Sequence, residues 1–478
     1  MEKTVNITKN TSYLTLALIL QKLLSFTYFT LLARDLGPEN LGKYYFAISF
    51  TTVFSIFIDI GMINLLTREV AKRKTSSSEL LGSVLAVKLP LVILTAAITM
   101  IATKIGGYDP LLAKLIYISL ACVILDSFTT TFWAVARGFH NLIFESISSV
   151  IFMMIVMSAG LFFLYNGYGL IYLMSALLMA STFHFLYSAI VLLKKFKVSI
   201  LPVFNGGLMK KMLMTTIPFG LFAVFQRLYT YLDSVLLGTL AGNEYVGYYQ
   251  ISFKIIFALQ FLPMAFVASL YPAMSEYWHS NREQLKTTFE KALIYLMVIS
   301  IPISAGVIAL ADKIILVFKE GYEPAILPMQ IIILSVFFIF INFPIGSLLN
   351  ACDRQKRNTA NMIITTIASI LLNIILIPRF QALGASITVL ATNIFMSSLG
   401  IFWVFKIIKF DVRRVFLAFL KILLAAIVMA LLVYWTKGYL NTIISILLGA
   451  FSYFLFLLLL KTIKKDEVRH ICGSFLKK

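Results

Sequence analysis

The chain is poor in cysteine, histidine and acid. Its three cysteines are Cys122, Cys352 and Cys472, in 478 residues. None has metal-type spacing, and they suggest no disulfide framework. The four histidines are scattered. No Ser/His/Asp, His-x-x-x-His or paired-carboxylate arrangement stands out, so an enzyme reading has only isolated acids to rest on. The absence of a G-x-x-x-x-G-K-[ST] loop excludes ATP binding through that motif. No external loop is long enough to form a sizeable catalytic domain. Asp and Glu number 21 against 41 Lys and Arg, a net charge of +20. Such an excess invites a nucleic-acid reading. The basic residues, however, cluster in short loops on alternate sides of apolar stretches, the pattern of membrane topology and of contact with anionic lipid. No nucleic-acid partner, metal or cofactor is expected.

What the chain has in abundance is hydrocarbon. It is 60% hydrophobic with a mean hydropathy of +0.92, where a soluble protein is closer to half apolar. Stretches of about 20 apolar residues recur throughout, the length that crosses a bilayer core as a helix. Short alternating segments, the mark of a membrane β-barrel, do not occur. The reading is an all-α polytopic membrane protein of about 14 transmembrane helices. The expected spans are 11–33, 42–64, 80–102, 112–135, 143–165, 169–193, 213–238, 247–274, 289–310, 324–350, 358–378, 382–406, 412–435 and 440–461. Residues 1–33 do not read as a cleaved signal, because the apolar run is too long and lacks a small-x-small site. Dense basic loops at Arg68–Lys74, Lys194–Lys211, Arg354–Arg357 and Lys406–Arg414, with the tail Lys461–Lys478, place both termini in the cytoplasm of a multi-pass cell-membrane protein.

A repeat organises these spans. Leu31–Tyr45 (LLARDLGPENLGKYY) recurs at Leu236–Gln250 (LLGTLAGNEYVGYYQ). At a constant offset of 205, Gly37, Gly42 and Tyr44 meet Gly242, Gly247 and Tyr249, while Gln21 and Lys22 meet Gln226 and Arg227. Later landmarks, including Gly169 and Gly384, fall at an offset of 215. Two six-helix halves that both start inside form a parallel, pseudo-symmetric repeat. The expected domains are an N-terminal bundle (1–195), a basic cytoplasmic linker (196–212), a C-terminal bundle (213–408) and an extra helix pair with a basic tail (409–478). Ser275–Lys291 carries mixed charge at helical spacing and reads as a solvated extension of the span before it.

Ionisable groups at mid-membrane are costly and mark a pathway by default. Lys22 and Arg227 lie halfway along equivalent spans and are the leading candidates for a cationic substrate site between the halves. Gln21, Gln226, Arg34, Lys254 and Lys88 join them, although Lys254 and Lys88 lie where they could snorkel to an interface. Asp126, Asp233 and Asp59 are expected to pair with a cation or to couple transport to an ion.

Several stretches resemble the Wzx-type flippases, the polysaccharide-transport branch of the multidrug/oligosaccharidyl-lipid/polysaccharide exporter superfamily. They are Ala33-Arg34-Asp35-Leu36-Gly37-Pro38 with Gly42-Lys43-Tyr44; Asp59-Ile60-Gly61 with Thr67-Arg68-Glu69; and Leu349-Asn350-Ala351-Cys352-Asp353-Arg354, followed by Asn373, Pro378 and Gly384. At Asp353 a glycine is usual; another residue fits if the turn is not left-handed. The resemblance implies a V-shaped pair of bundles that works by alternating access. The implied cargo is an oligosaccharide on a polyprenyl or dolichyl (di)phosphate, moved from the inner to the outer leaflet with H⁺ or Na⁺ coupling. Glycosyltransferases and a polymerase of the same pathway would be its partners. Alternatives are a flippase for the peptidoglycan lipid precursor, a cation-coupled multidrug exporter and, more distantly, a membrane glycosyltransferase or polymerase. A drug exporter for organic cations would favour acidic cavity groups over Lys22 and Arg227.

Overall fold

The structure, a computed structural model, describes residues 7–59 and 61–461; Ile60 and the tail beyond Lys461, with Cys472, lie outside the described residues. Every regular element among them is helical. In hydrocarbon each peptide group must be satisfied within its own segment, and long apolar runs are therefore helical. Hydroxyls inside a span bond back to their own helix, as when Thr95, Thr99 and Thr103 donate to Leu91 O, Thr95 O and Thr99 O, each at 2.7 Å. Among the described residues, eleven helices are long and apolar enough to cross a membrane.

The chain divides into two compact units between Gln250 and Ile251. The first contains α1 (Ile7–Phe54), α2 (Met62–Lys72), α3 (Ser77–Ile105), α4 (Pro110–Gly138), α5 (Ile143–Tyr165), α6 (Leu170–Val191), α7 (Gly206–Leu240) and the start of α8 (Asn243–Leu259). Helix α1 is broken at Gly37, where φ is 71° and ψ 171°, and resumes at Pro38. The fixed φ of proline and its missing N–H suit a first helical position. The basic connector after α6 is pinned to α3: Val203 N donates to Gly82 O at 3.0 Å, and Asn205 Nδ2 to Glu79 Oε1 at 3.1 Å.

Two glycines explain the recurring turn. A β-carbon on Gly42 would overlap the backbone oxygen of Asn243, and one on Gly247 would overlap that of Pro38. At the offset of 205, Asn243 is the counterpart of Pro38. Each turn thus seats its own glycine against the other's first helical residue. Leu41 and Val246, beside the two glycines, are fully buried. Only glycine permits so close a backbone approach.

The second unit comprises the rest of α8 with α9 (Phe261–Ser280), α10 (Arg282–Ala309), α11 (Ala311–Leu316), α12 (Ile326–Ile333), α13 (Ser335–Ala351), α14 (Gln355–Phe405), α15 (Val412–Thr436) and α16 (Thr442–Leu459). Helix α14 is broken at Gln381, with φ 49° and ψ −126°. There Gly384 packs so closely on Leu376 O that a β-carbon would overlap it. The last two helices are built into the unit's core. Ile422, Ala425, Ala426 and Leu457 share a cluster with Leu293 and Met297. Tyr453 donates to Val298 O at 2.8 Å, and Lys437 bonds Asp312 at 2.8 Å and Ala309 O at 2.9 Å.

Three expectations need correction. The span predicted to run through residue 64 ends as an α-helix at Phe54. Ser275–Lys291 is not one solvated extension: α9 stops at Ser280, and Asn281 Oδ1 accepts from Gln284 N at 3.0 Å to cap α10. Glu290 in that segment is buried and accepts from Asp411 N at 2.8 Å. The turn at Asp353 is left-handed, with φ 58°. Asp tolerates that region better than most side chains because its short polar group can bond locally.

The glycine crossing gives a direct test. Gly42→Ala or Gly247→Ala should cost about 1–3 kcal/mol through forced backbone displacement, read as a lower unfolding temperature of the detergent-purified protein. Gly306→Ala, whose β-carbon meets only Met429 Cε at 3.7 Å, should leave it unchanged or raise it.

Candidate functional site

The site is built on the break between α1 and α2. The chain tightens into a 3-10 turn at Ser55–Phe57, where Ser55 Oγ donates to Thr52 O at 2.6 Å and Ile58 N to Ser55 O at 3.0 Å. Gly61 then reverses it with φ 76° and ψ 8°. The buried face of α2, with Met62, Leu66 and Val70, anchors the far side of the break against Leu81, Val84, Leu85, Phe132 and Val135. Asp59, between these two anchors, is held against α3 and α4.

There it meets Lys88, whose side chain is fully buried. Lys88 Nζ donates to Asp59 Oδ1 at 2.8 Å, to Ser127 O at 2.6 Å and to Thr131 Oγ1 at 2.7 Å. An ammonium has three hydrogens, so this one is saturated. Ser127 Oγ donates to the other oxygen of Asp59 at 2.7 Å, and the Phe128 ring lies 5.5 Å from Nζ. The expectation that Lys88 could snorkel to an interface is thereby corrected. Its cheapest position is an interior one in which every donor has an acceptor, and a substrate would have to displace one of them.

Arg227 of α7 completes the cluster. Nη1 donates to Ser55 Oγ at 2.9 Å, which ties it to the break that carries Asp59. Among the described residues no carboxylate pairs with Arg227. Ser55, Asp59, Lys88 and Arg227 therefore bring together two cations and one carboxylate, with the carboxylate committed to Lys88. Arg227 is half-buried, and a guanidinium carries more donors than the one placed on Ser55.

The other candidates are dispersed. Lys22 and Gln21 are half-buried on α1, which packs on α7; Gln226 and Arg34 are exposed, and Lys254 is half-buried on α8. Asp233 is buried and accepts from Tyr249 Oη at 3.3 Å. Asp126, expected to pair with a cation or to couple transport to an ion, lies beside Ser181, and its Oδ1 is buried without a hydrogen-bond partner among the described residues. Asn350 Oδ1 accepts from Asn358 Nδ2 at 3.2 Å, Arg354 caps α14, and Asn373 is fully buried on it. Sequence reasoning missed Ser55, Ser127 and Thr131; the Ser-Phe-Thr-Thr-Thr run at 127–131 was the available signal. It also missed a second polar knot in the first unit. Trp133 Nε1 donates to His184 Nε2 at 3.1 Å, Ser148 Oγ lies 3.0 Å from the same nitrogen, and Arg137 pairs with Glu145. No group of three or more His, Cys, Asp or Glu among the described residues could hold a metal.

The sequence matches a known group of proteins. The profile of the family described as polysaccharide biosynthesis protein matches residues 7–278. The chain belongs to that family. A second profile, MatE, matches residues 218–378. Among curated relatives, a probable low-salt glycan biosynthesis flippase, Agl15 of Haloferax volcanii, is 22% identical over 76% of this chain and 76% of its own. An uncharacterized membrane protein of Methanocaldococcus jannaschii is 23% identical over 84% of this chain and 83% of its own. Among solved structures, the lipid II flippase MurJ in an inward closed conformation superposes with TM-score 0.77 at 17% identity, covering 93% of this chain and 97% of that one. An inward-facing multidrug resistance transporter of the MATE family in the same superfamily gives 0.63 at 15%, covering 80% and 93%. The fold is therefore that of the exporter superfamily, and the resemblance read from the motifs holds at family level.

The buried pair can be tested directly. Asp59→Asn or Lys88→Met alone leaves one polar partner stranded and should cost about 3–5 kcal/mol. The double variant removes both charges and should lose much less. Thermal unfolding of the purified proteins measures both, and equal losses for single and double variants would contradict the pairing.

Proposed function

We propose that this protein is a flippase for an oligosaccharide carried on a polyprenyl or dolichyl (di)phosphate, moving it from the inner to the outer leaflet for cell-surface glycan assembly. The observation that carries the reading is Arg227, a mid-helix guanidinium that donates to Ser55 Oγ at 2.9 Å and, among the described residues, pairs with no carboxylate. A diphosphate entering from the membrane interior needs a cation not already bound by an internal acid, and charge-assisted bonds in a semi-dry site are strong. Lys22, at the equivalent position of the first half, is the second cation of the site. The lipid tail stays in the bilayer, and only the headgroup requires a polar route. The family match and the flippase relative support the same assignment. A drug exporter for organic cations would want acid where Arg227 stands.

The topology that goes with this reading has fourteen spans. Two of the eleven candidate helices are each bent into two, at Gly37 and Gln381, and α7 adds one more. An even count places both termini on the cytoplasmic side, as the distribution of Lys and Arg requires. Six-span halves then form a parallel repeat, followed by the α15–α16 pair. Transport proceeds by alternating access, and Asp126 and Asp233 are the acids available to couple it to H⁺ or Na⁺.

Replacing Arg227 with Ala should abolish translocation while membrane insertion and protein level stay normal, and Lys22→Ala should do the same. Export of the surface glycan in a flippase-null strain carrying each variant measures this. Full export by both variants would overturn the cationic site. In liposomes, flipping should depend on an imposed ion gradient or potential, and indifference to every gradient would remove Asp126 and Asp233 from a coupling role.

A further inference from the structure

The second unit carries a basic cavity lined by its own residues. It has a volume of about 450 Å³ and is lined by Trp278 of α9, Arg282, Glu283 and Lys286 of α10, and the Ile407–Lys409 segment after α14. Its charges are held in different ways. Arg282 Cζ lies over the Trp278 ring, 3.1 Å from its centroid. A guanidinium held on an aromatic ring keeps N–H donors for an acceptor. Lys286 Nζ reaches Glu283 Oε2 at 3.4 Å, a long contact on an exposed acid. Lys409 is exposed and, among the described residues, neither Arg282 nor Lys409 is paired with a carboxylate. Three cations thus face one carboxylate, and the cavity has a surplus of positive charge.

The surroundings indicate where a ligand would come from. Trp403, on the neighbouring last turns of α14, carries Arg357 at 4.4 Å and Lys406 at 4.9 Å. Tryptophan and cations together at helix ends mark the level of lipid headgroups. Beside the cavity, Phe402 and Phe405 of α14 are 52% and 44% exposed, large apolar surfaces of the kind acyl chains cover. A soluble anion would gain nothing from them, whereas a lipid would place its phosphate among Arg282, Lys286 and Lys409 and its chains along α14. Basic pockets between transmembrane helices bind anionic headgroups for this reason.

We infer that this cavity is a binding site for the phosphate-bearing headgroup of an anionic membrane lipid. The site is separate from the cargo site and does not depend on what the cargo is. Native mass spectrometry of the full-length protein, exchanged into micelles doped with phosphatidylglycerol or phosphatidylcholine, tests it, with a parallel arm in inorganic diphosphate. The expected result is retention of phosphatidylglycerol over phosphatidylcholine by at least several-fold. That preference should be lost in the Arg282→Gln/Lys409→Gln double variant and kept in Lys104→Gln, which changes a cation in the other unit. An unchanged unfolding temperature of the lipid-free double variant shows that it is folded. If the double variant retains phosphatidylglycerol as well as the parent does, the site is overturned. If diphosphate binds and is lost on mutation while no lipid is retained, the lipid assignment is overturned.

Discussion

A lysine ammonium inside hydrocarbon is tolerated only when each of its hydrogens meets an acceptor and its charge meets an opposite one. Lys88 meets both conditions, and much of the first unit's geometry follows from how it does so. Asp59 can reach it only because the chain leaves helical conformation after Phe54 and turns at Gly61. The acceptors from α4, Ser127 O and Thr131 Oγ1, fix the approach of that helix. The same break exposes Ser55 Oγ to Arg227. The same stretch of chain thus presents an acid to Lys88 and a hydroxyl to Arg227.

A second constraint is the close crossing of Gly42 and Gly247. A helix pair gains little from the hydrophobic effect in a bilayer, and small residues that let backbones approach supply packing instead. The two segments meet through equivalent positions, with Gly42 on Asn243 and Gly247 on Pro38. The identical glycines of the repeat thus serve a single contact.

Much of this was legible in the chain. The helical class, the break at Gly37–Pro38 and the family resemblance followed from apolar run length, turn residues and motif order. Arg227 stood out because a cation halfway along an apolar run has no nearby interface. The environment of Lys88 was not legible, since Asp59 lies 29 residues away and Thr131 lies 43. Depth along one span suggests snorkelling whenever partners on other spans are invisible. The end of α1 was hidden for a related reason: Ile56, Phe57 and Ile58 keep hydropathy high across the break, and Gly61 was the only local sign of it. Asp353 shows the reverse case. Its left-handed backbone agrees with the glycine usual there, while its side chain argued for another turn.

The saturation of Lys88 also follows the order of the chain. Asp59 is synthesised before Lys88, and Ser127 and Thr131 after it. The acceptor that cancels the charge precedes α3 in the chain, and the other two follow in α4. The first unit thus contains every partner that its buried cation uses.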